Sequence, residues 1–155
     1  MLTRVWGRRG SRPVQIKQTQ YDWIYLFGTV NPLTGDSVGM LAPTVNTGLM
    51  SEYLRMLSQH VGPDVQVVLV LDNAGWHRAK ALRVPDNITL WFLPAYSPEL
   101  NPIERLWAWL KSHSLSNRVY ADYDALLAAG GDAWNRLTPD RIQTVCHASW
   151  MPRMN

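Results

Sequence analysis

Asp72 and Glu104 are the residues whose types and positions best suit chemistry. Asp72 closes a nearly unbroken aliphatic run, Val65–Leu71 (VQVVLVL), and Glu104 follows the pair Asn101-Pro102 by two residues. A carboxylate just past the end of a buried strand stands where α/β sheets place their sites. Acids from separate segments offer the hard oxygen ligands that magnesium prefers, and paired magnesium ions can drive an in-line phosphoryl displacement. Each residue also has a structural role open to it. Aspartate caps helices and turns well. Glutamate three residues after an asparagine cap can reach back as the second member of a capping-box-like arrangement. On spacing alone, both roles stand for both residues.

The elements that would position these acids can be read along the chain. Tyr21–Val30 (YDWIYLFGTV) is aromatic and β-branched and predicts a strand. Turn residues at 31–36 and a return over Ser37–Val45 predict a hairpin. Apolar residues at helical spacing predict a helix over Thr47–Val61, stopped by Gly62-Pro63. Val65–Leu71 predicts a strand covered on both faces. A short helix over Trp76–Leu82 and a second apolar strand over Ile88–Leu93 follow. Asn101-Pro102 opens a helix running to about His113. Asp122–Trp134 and Pro139–His147 predict two further helices, the first weakened by Gly130-Gly131. Hairpin, helix, strand, helix, strand, helices is an α/β order, with antiparallel strands first and parallel crossovers later. It is the order of a ribonuclease-H-like mixed sheet flanked by helices. The first strand of that fold, which lies in the sheet centre, has no counterpart ahead of the hairpin.

The totals agree with one globular domain over residues 1–155. The chain is 46% hydrophobic and 17% charged, with a formal net charge of +3. Its cations are unevenly spread: Arg4, Arg8, Arg9, Arg12 and Lys17 share residues 1–17 with no acid. Such a segment is either a solvated loop or an arm that contacts phosphates. Cys146 is the one cysteine, which excludes a disulfide framework and suits a reducing cytosol. The polar N-terminus and the lack of a long apolar run predict neither signal peptide nor membrane span. The four histidines and Cys146 have no zinc-ligand spacing. No glycine-rich phosphate loop is present, and Ser97 in its proline-rich turn has no neighbouring base.

Taken together, Asp72-Asn73-Ala74-Gly75-Trp76-His77 and Leu93-Pro94-Ala95-Tyr96-Ser97-Pro98-Glu99-Leu100-Asn101-Pro102-Ile103-Glu104, with Trp107 and Lys111 beyond, form a long and unusual pattern. It resembles the DDE endonuclease domain of mariner-type transposases, in their bacterial insertion-sequence branch. Val5-Trp6, Gly10, Pro13, Phe27-Gly28 and Thr34-Gly35 fall in the family's order, so the resemblance spans about residues 5–115. It implies a cytoplasmic, nucleoid-associated enzyme of DNA transposition and recombination, with integrase-like chemistry. Asp72 and Glu104 would be catalytic acids that hold Mg2+ or Mn2+. Asn73 and His77 would be their neighbours, and Asn101 and Pro102 would aim the helix carrying Glu104. Arg4, Arg8, Arg9, Arg12, Arg105 and Lys111 would contact DNA, both transposon ends and target.

The pattern departs from the family in one respect. A further aspartate belongs on a first strand ahead of the basic segment, and only three residues, none acidic, precede Arg4. Asp22, Asp36, Glu52 and Asp64 do not close a central strand and are rejected as substitutes. The DNA-end-recognising helix-turn-helix region is missing as well. The resemblance therefore implies a catalytic-core fragment that does not cleave alone. Its partner would be an upstream transposase fragment or another copy of itself. The alternative is a non-catalytic DNA-binding or oligomerising remnant.

Overall fold

A computed structural model describes residues 23–72, 81–116, 118–148 and 151. The order is β1 (Tyr25–Val30), β2 (Ser37–Ala42), α1 (Thr47–Val61), β3 (Val67–Leu71), β4 (Ile88–Phe92), α2 (Pro102–Leu110), α3 (Tyr123–Asn135) and α4 (Pro139–Cys146). The architecture is mixed α/β. The helix expected over Trp76–Leu82 falls largely outside the described residues.

β1 and β2 pair antiparallel, with Phe27 opposite Met40 and Gly28 opposite Gly39. Their turn is built on Asn31, whose side-chain oxygen accepts from the Leu33 and Thr34 amides at 3.0 and 3.3 Å. β3 and β4 pair parallel, Val67 with Ile88 through Leu71 with Phe92. Among the described residues these are two separate ribbons and not the single mixed sheet expected.

α1 holds both ribbons. It starts at Asn46, whose side chain accepts from the Leu49 amide at 2.9 Å, and ends at Gly62, which has φ 87°. Its buried stripe of Met50, Tyr53, Leu54 and Leu57 packs with Leu69 and Ile88 of one ribbon and Phe27, Val38 and Met40 of the other. Polar ties reinforce each side. The Tyr53 hydroxyl lies 2.6 Å from Thr29 Oγ1 and donates to the Val38 carbonyl at 2.9 Å. Ser58 donates to the side-chain oxygen of buried Asn87 at 2.7 Å, and the Asn87 amide nitrogen donates to the Gly62 and Val65 carbonyls.

The opposite face of the hairpin receives α2, α3 and α4, whose core is Leu106, Leu110, Ala133, Ile142 and Cys146. Gly28 and Gly39, paired across the hairpin, form a flat seat for two indoles. A Cβ on Gly28 would stand 2.5 Å from Trp107, and one on Gly39 would stand 2.6 Å from Trp134. α2 stops at Leu110, short of His113, and the chain continues in a wider turn closed by the Ser116 amide on the Lys111 carbonyl at 2.8 Å.

One expectation fails for β3. Its aliphatic run predicts cover on both faces, yet only Val67, Leu69 and Leu71 pack against the α1 core. Val68 and Val70 stay exposed, as does Trp91 beside them on β4. Among the described residues no helix lies over that side of the ribbon, so the strand is half-covered.

Candidate active site

Because β3 and β4 are parallel, their C-terminal ends leave the ribbon side by side. Leu71 accepts from the Leu93 amide at 2.8 Å, so Asp72 and Leu93 emerge together. The chain after β4 then folds back. Tyr96 takes φ 59°, a left-handed conformation uncommon for a bulky residue, and is fully exposed. A short turn over Pro98–Leu100 follows, with the Asn101 amide donating to the Pro98 carbonyl at 3.0 Å. This reversal points the start of α2 at the strand ends.

α2 begins with Pro102 at its first position and Asn101 at its cap. The Asn101 side chain makes no capping hydrogen bond, but its carbonyl accepts from the Glu104 amide at 3.1 Å. Glu104 thus lies in the first turn, where a carboxylate also suits the positive end of the helix dipole. Behind it, Trp107 rests on Gly28 and fixes how far α2 can approach β1.

The outcome is that Asp72 and Glu104, with residues 73 to 103 between them in sequence, line one pocket of about 350 Å³. Leu93, Tyr96, Ser97 and Asn101 complete much of its wall. Both acids also line a larger cavity of about 990 Å³ between the two ribbons. Two exposed carboxylates at a shared pocket fit part of the oxygen set that a hard divalent ion takes. They are not a full set: among the described residues no three His, Cys, Asp or Glu side chains converge to hold a metal.

The remaining predicted residues divide. Arg4, Arg8, Arg9, Arg12, Asn73 and His77 lie outside the described residues. Arg105 is exposed, and its guanidinium donates to the His147 carbonyl, tying α2 to the end of α4. Lys111 is exposed two turns beyond Glu104, about 10 Å along the axis at 1.5 Å per residue. Tyr96 lies inside the motif that joins β4 to α2. Its strained φ is invisible in residue identity, and only its setting between Ala95 and Ser97-Pro98 hinted at a tight reversal.

Comparison with known proteins fits this arrangement. The family profile described as "DDE superfamily endonuclease" matches residues 1–127. An uncharacterized protein, y4pE/y4sA of Sinorhizobium fredii (strain NBRC 101917 / NGR234), is 42% identical over 133 residues, covering 84% of this chain and 98% of that protein. No solved structure matches the chain. Among the described residues no helix is long and apolar enough to cross a membrane. With Asp72 at the end of β3, Glu104 in the first turn of α2 and a family match over most of its length, the chain belongs to the DDE superfamily of endonucleases.

Proposed function

We propose that this chain is the catalytic core of a transposase of the mariner-like, bacterial insertion-sequence type, acting on DNA phosphodiesters. The supporting observation is that Asp72 and Glu104 line the same pocket at the C-terminal end of the β3–β4 ribbon. On this reading the fold is ribonuclease-H-like, with transposon ends and target DNA as substrates.

The roles follow from position. Asp72 and Glu104 would hold Mg2+ or Mn2+, which when bound supplies Lewis-acid assistance to the attacking and leaving oxygens of an in-line displacement. Asn101 and Pro102 set where Glu104 stands, and Trp107 against Gly28 sets the depth of the helix. Lys111 offers its ammonium to a phosphate beyond the pocket, and the N-terminal arginines 4, 8, 9 and 12 offer theirs to the DNA flank. Two acids without a converging third among the described residues favour a chain that does not cleave alone and needs an upstream fragment or another copy. The same observation supports a second reading, a non-catalytic DNA-binding or oligomerising protein derived from such an enzyme.

Iron-directed cleavage of the protein backbone tests the metal assignment apart from activity. Fe2+ substituted for Mg2+ and activated with ascorbate and peroxide should cut the chain near residues 72 and 104. Asp72→Asn and Glu104→Gln should each suppress those cuts. Cuts elsewhere, or cuts indifferent to both substitutions, would remove the metal role. Magnesium-dependent nicking of supercoiled plasmid by the chain alone, abolished in Asp72→Asn, would show that it is complete as it stands.

A further inference from the structure

We propose that Trp91 is a stacking platform for one unpaired base of a DNA strand whose phosphate lies at Asp72 and Glu104. The assignment rests on the nuclease reading and deepens it by naming a residue that positions the strand. Trp91 is 64% exposed, which sets it apart from the indoles with a packing role. Trp107 and Trp134 sit on Gly28 and Gly39, and Trp109 is stacked by His113 at 4.7 Å between ring centres.

Strand alternation puts Trp91 on the side where the acids are. Val67, Leu69 and Leu71 of β3 and Ile88 and Leu90 of β4 turn toward α1. Val68, Val70 and Trp91 therefore turn away from it. Val70 and Trp91 are register partners, and two residues further along the same side come Asp72 and Leu93. The Leu93 amide still donates to the Leu71 carbonyl at 2.8 Å, so the ladder is intact to that point. Asp72 and Leu93 line the pocket that Glu104 also lines. At 3.3 Å per residue, Trp91 stands about 7 Å along the strand from Leu93, within the span of one nucleotide.

The surface around Trp91 is open, and its side chains carry no charge. Val68 is 65% exposed, and its register partner Thr89 is exposed beside it. The described part of the chain returning from β3 to β4 runs on the α1 side. There Leu82 packs against the core, and the Arg83 amide donates to the Ser51 hydroxyl at 3.1 Å. A flat apolar floor with one large ring suits the face of a base and offers nothing to a phosphate. The acid pocket, with the metal it would hold, suits a phosphate and not a base. A DNA strand carries both groups in alternation, so it can engage floor and pocket at once. The base must be released from its duplex, where neighbours already cover both of its faces.

Fluorescence anisotropy with two probes tests this: a blunt DNA duplex, and the same duplex with a short single-stranded overhang, each with magnesium present. Trp91→Ala should weaken overhang binding by about 5- to 150-fold, the range of one lost base stack, and leave blunt-duplex binding unchanged. Trp91→Phe keeps a ring and should keep most of the overhang affinity. Both variants should melt with the wild type, since the side chain is exposed. A second measurement needs no substitution: 5-iodouracil placed in the overhang and irradiated should cross-link the wild-type chain at Trp91, located by mass spectrometry. Equal losses for both probes, no loss for either, or cross-links only at other residues would overturn the stacking role and leave the nuclease reading standing. A wild-type chain that binds neither probe would sink the nuclease reading and this assignment with it. A dimer that Trp91→Ala turns into a monomer would give the floor to a second copy and overturn the proposal equally.

Discussion

Gly28 and Trp107 meet so closely that a single methyl group on the glycine would stand 2.5 Å from the indole. Trp107 is three residues past Glu104 on α2, so the missing side chain of Gly28 sets where that acid stands relative to β1. Gly28→Ala should lower stability by about 1–3 kcal/mol through overpacking. For a domain of this size that is a fall in Tm of about 2–4 °C per kcal/mol, read by thermal denaturation. Gly39→Ala, against Trp134, should behave alike, and Thr29→Ser on the same strand should not.

Tyr53 anchors α1 to the hairpin through Thr29 and Val38. Burial pushes its phenol well above the ordinary value, only partly offset by the Thr29 hydrogen bond. A phenol raised in the folded state contributes stability below the unfolded pKa near 10 and loses it as pH rises beyond that. Denaturant midpoints measured from pH 8 to 11.5 should therefore fall more steeply in the wild type than in Tyr53→Phe. At pH 8 the substitution should cost about 1–3 kcal/mol, because the Val38 carbonyl and Thr29 hydroxyl lose their partner. Parallel pH profiles for the two proteins would refute the assignment.

Cys146 is fully buried between α4 and α2, and burial pushes its thiol up to about 11, against a smaller opposing pull from Arg105. The thiolate is the reactive form. Ellman's reagent at pH 8 should label Cys146 only at the rate of unfolding and rapidly in guanidinium. Fast labelling of the native chain would contradict this packing.

Arg105 and Lys111 separate a structural cation from a binding one. Arg105 is tied to the His147 carbonyl, so Arg105→Ala should lower Tm whether or not DNA is present. Lys111 is exposed at the end of α2. On the nuclease reading, Lys111→Ala should leave Tm unchanged but weaken DNA binding and reduce the salt slope by about 1. Titrations by fluorescence anisotropy at several salt concentrations would decide it.

Sequence reading succeeded where a local signal decided the outcome. Asn46 and Gly62 bracket α1, and its observed bounds are those read from the sequence. Asp72 and Glu104 were legible as a pair only through the long motif around them, since each alone also suited a cap. The helix read over Asp122–Trp134 is α3, Tyr123–Asn135, which runs unbroken through Gly130-Gly131. Gly130 is buried there, and a Cβ on it would stand 2.8 Å from Ile24. Reading failed where distant contacts decided. The aliphatic run of β3 promised cover on both faces, but cover depends on what packs over it, and Val68 and Val70 remain open. The strained turn at Tyr96 left no trace in residue identity.

That open ribbon has a practical consequence for making the protein. Val67–Leu71 is five aliphatic residues with no charge and no proline, on a strand with one free edge among the described residues. Segments of this type stack edge to edge into insoluble cross-β assemblies. Expressed at high level by itself, the chain should partition into inclusion bodies. Val68→Lys, a gatekeeper charge on the solvent side of β3, should raise the soluble yield without touching the α1 core.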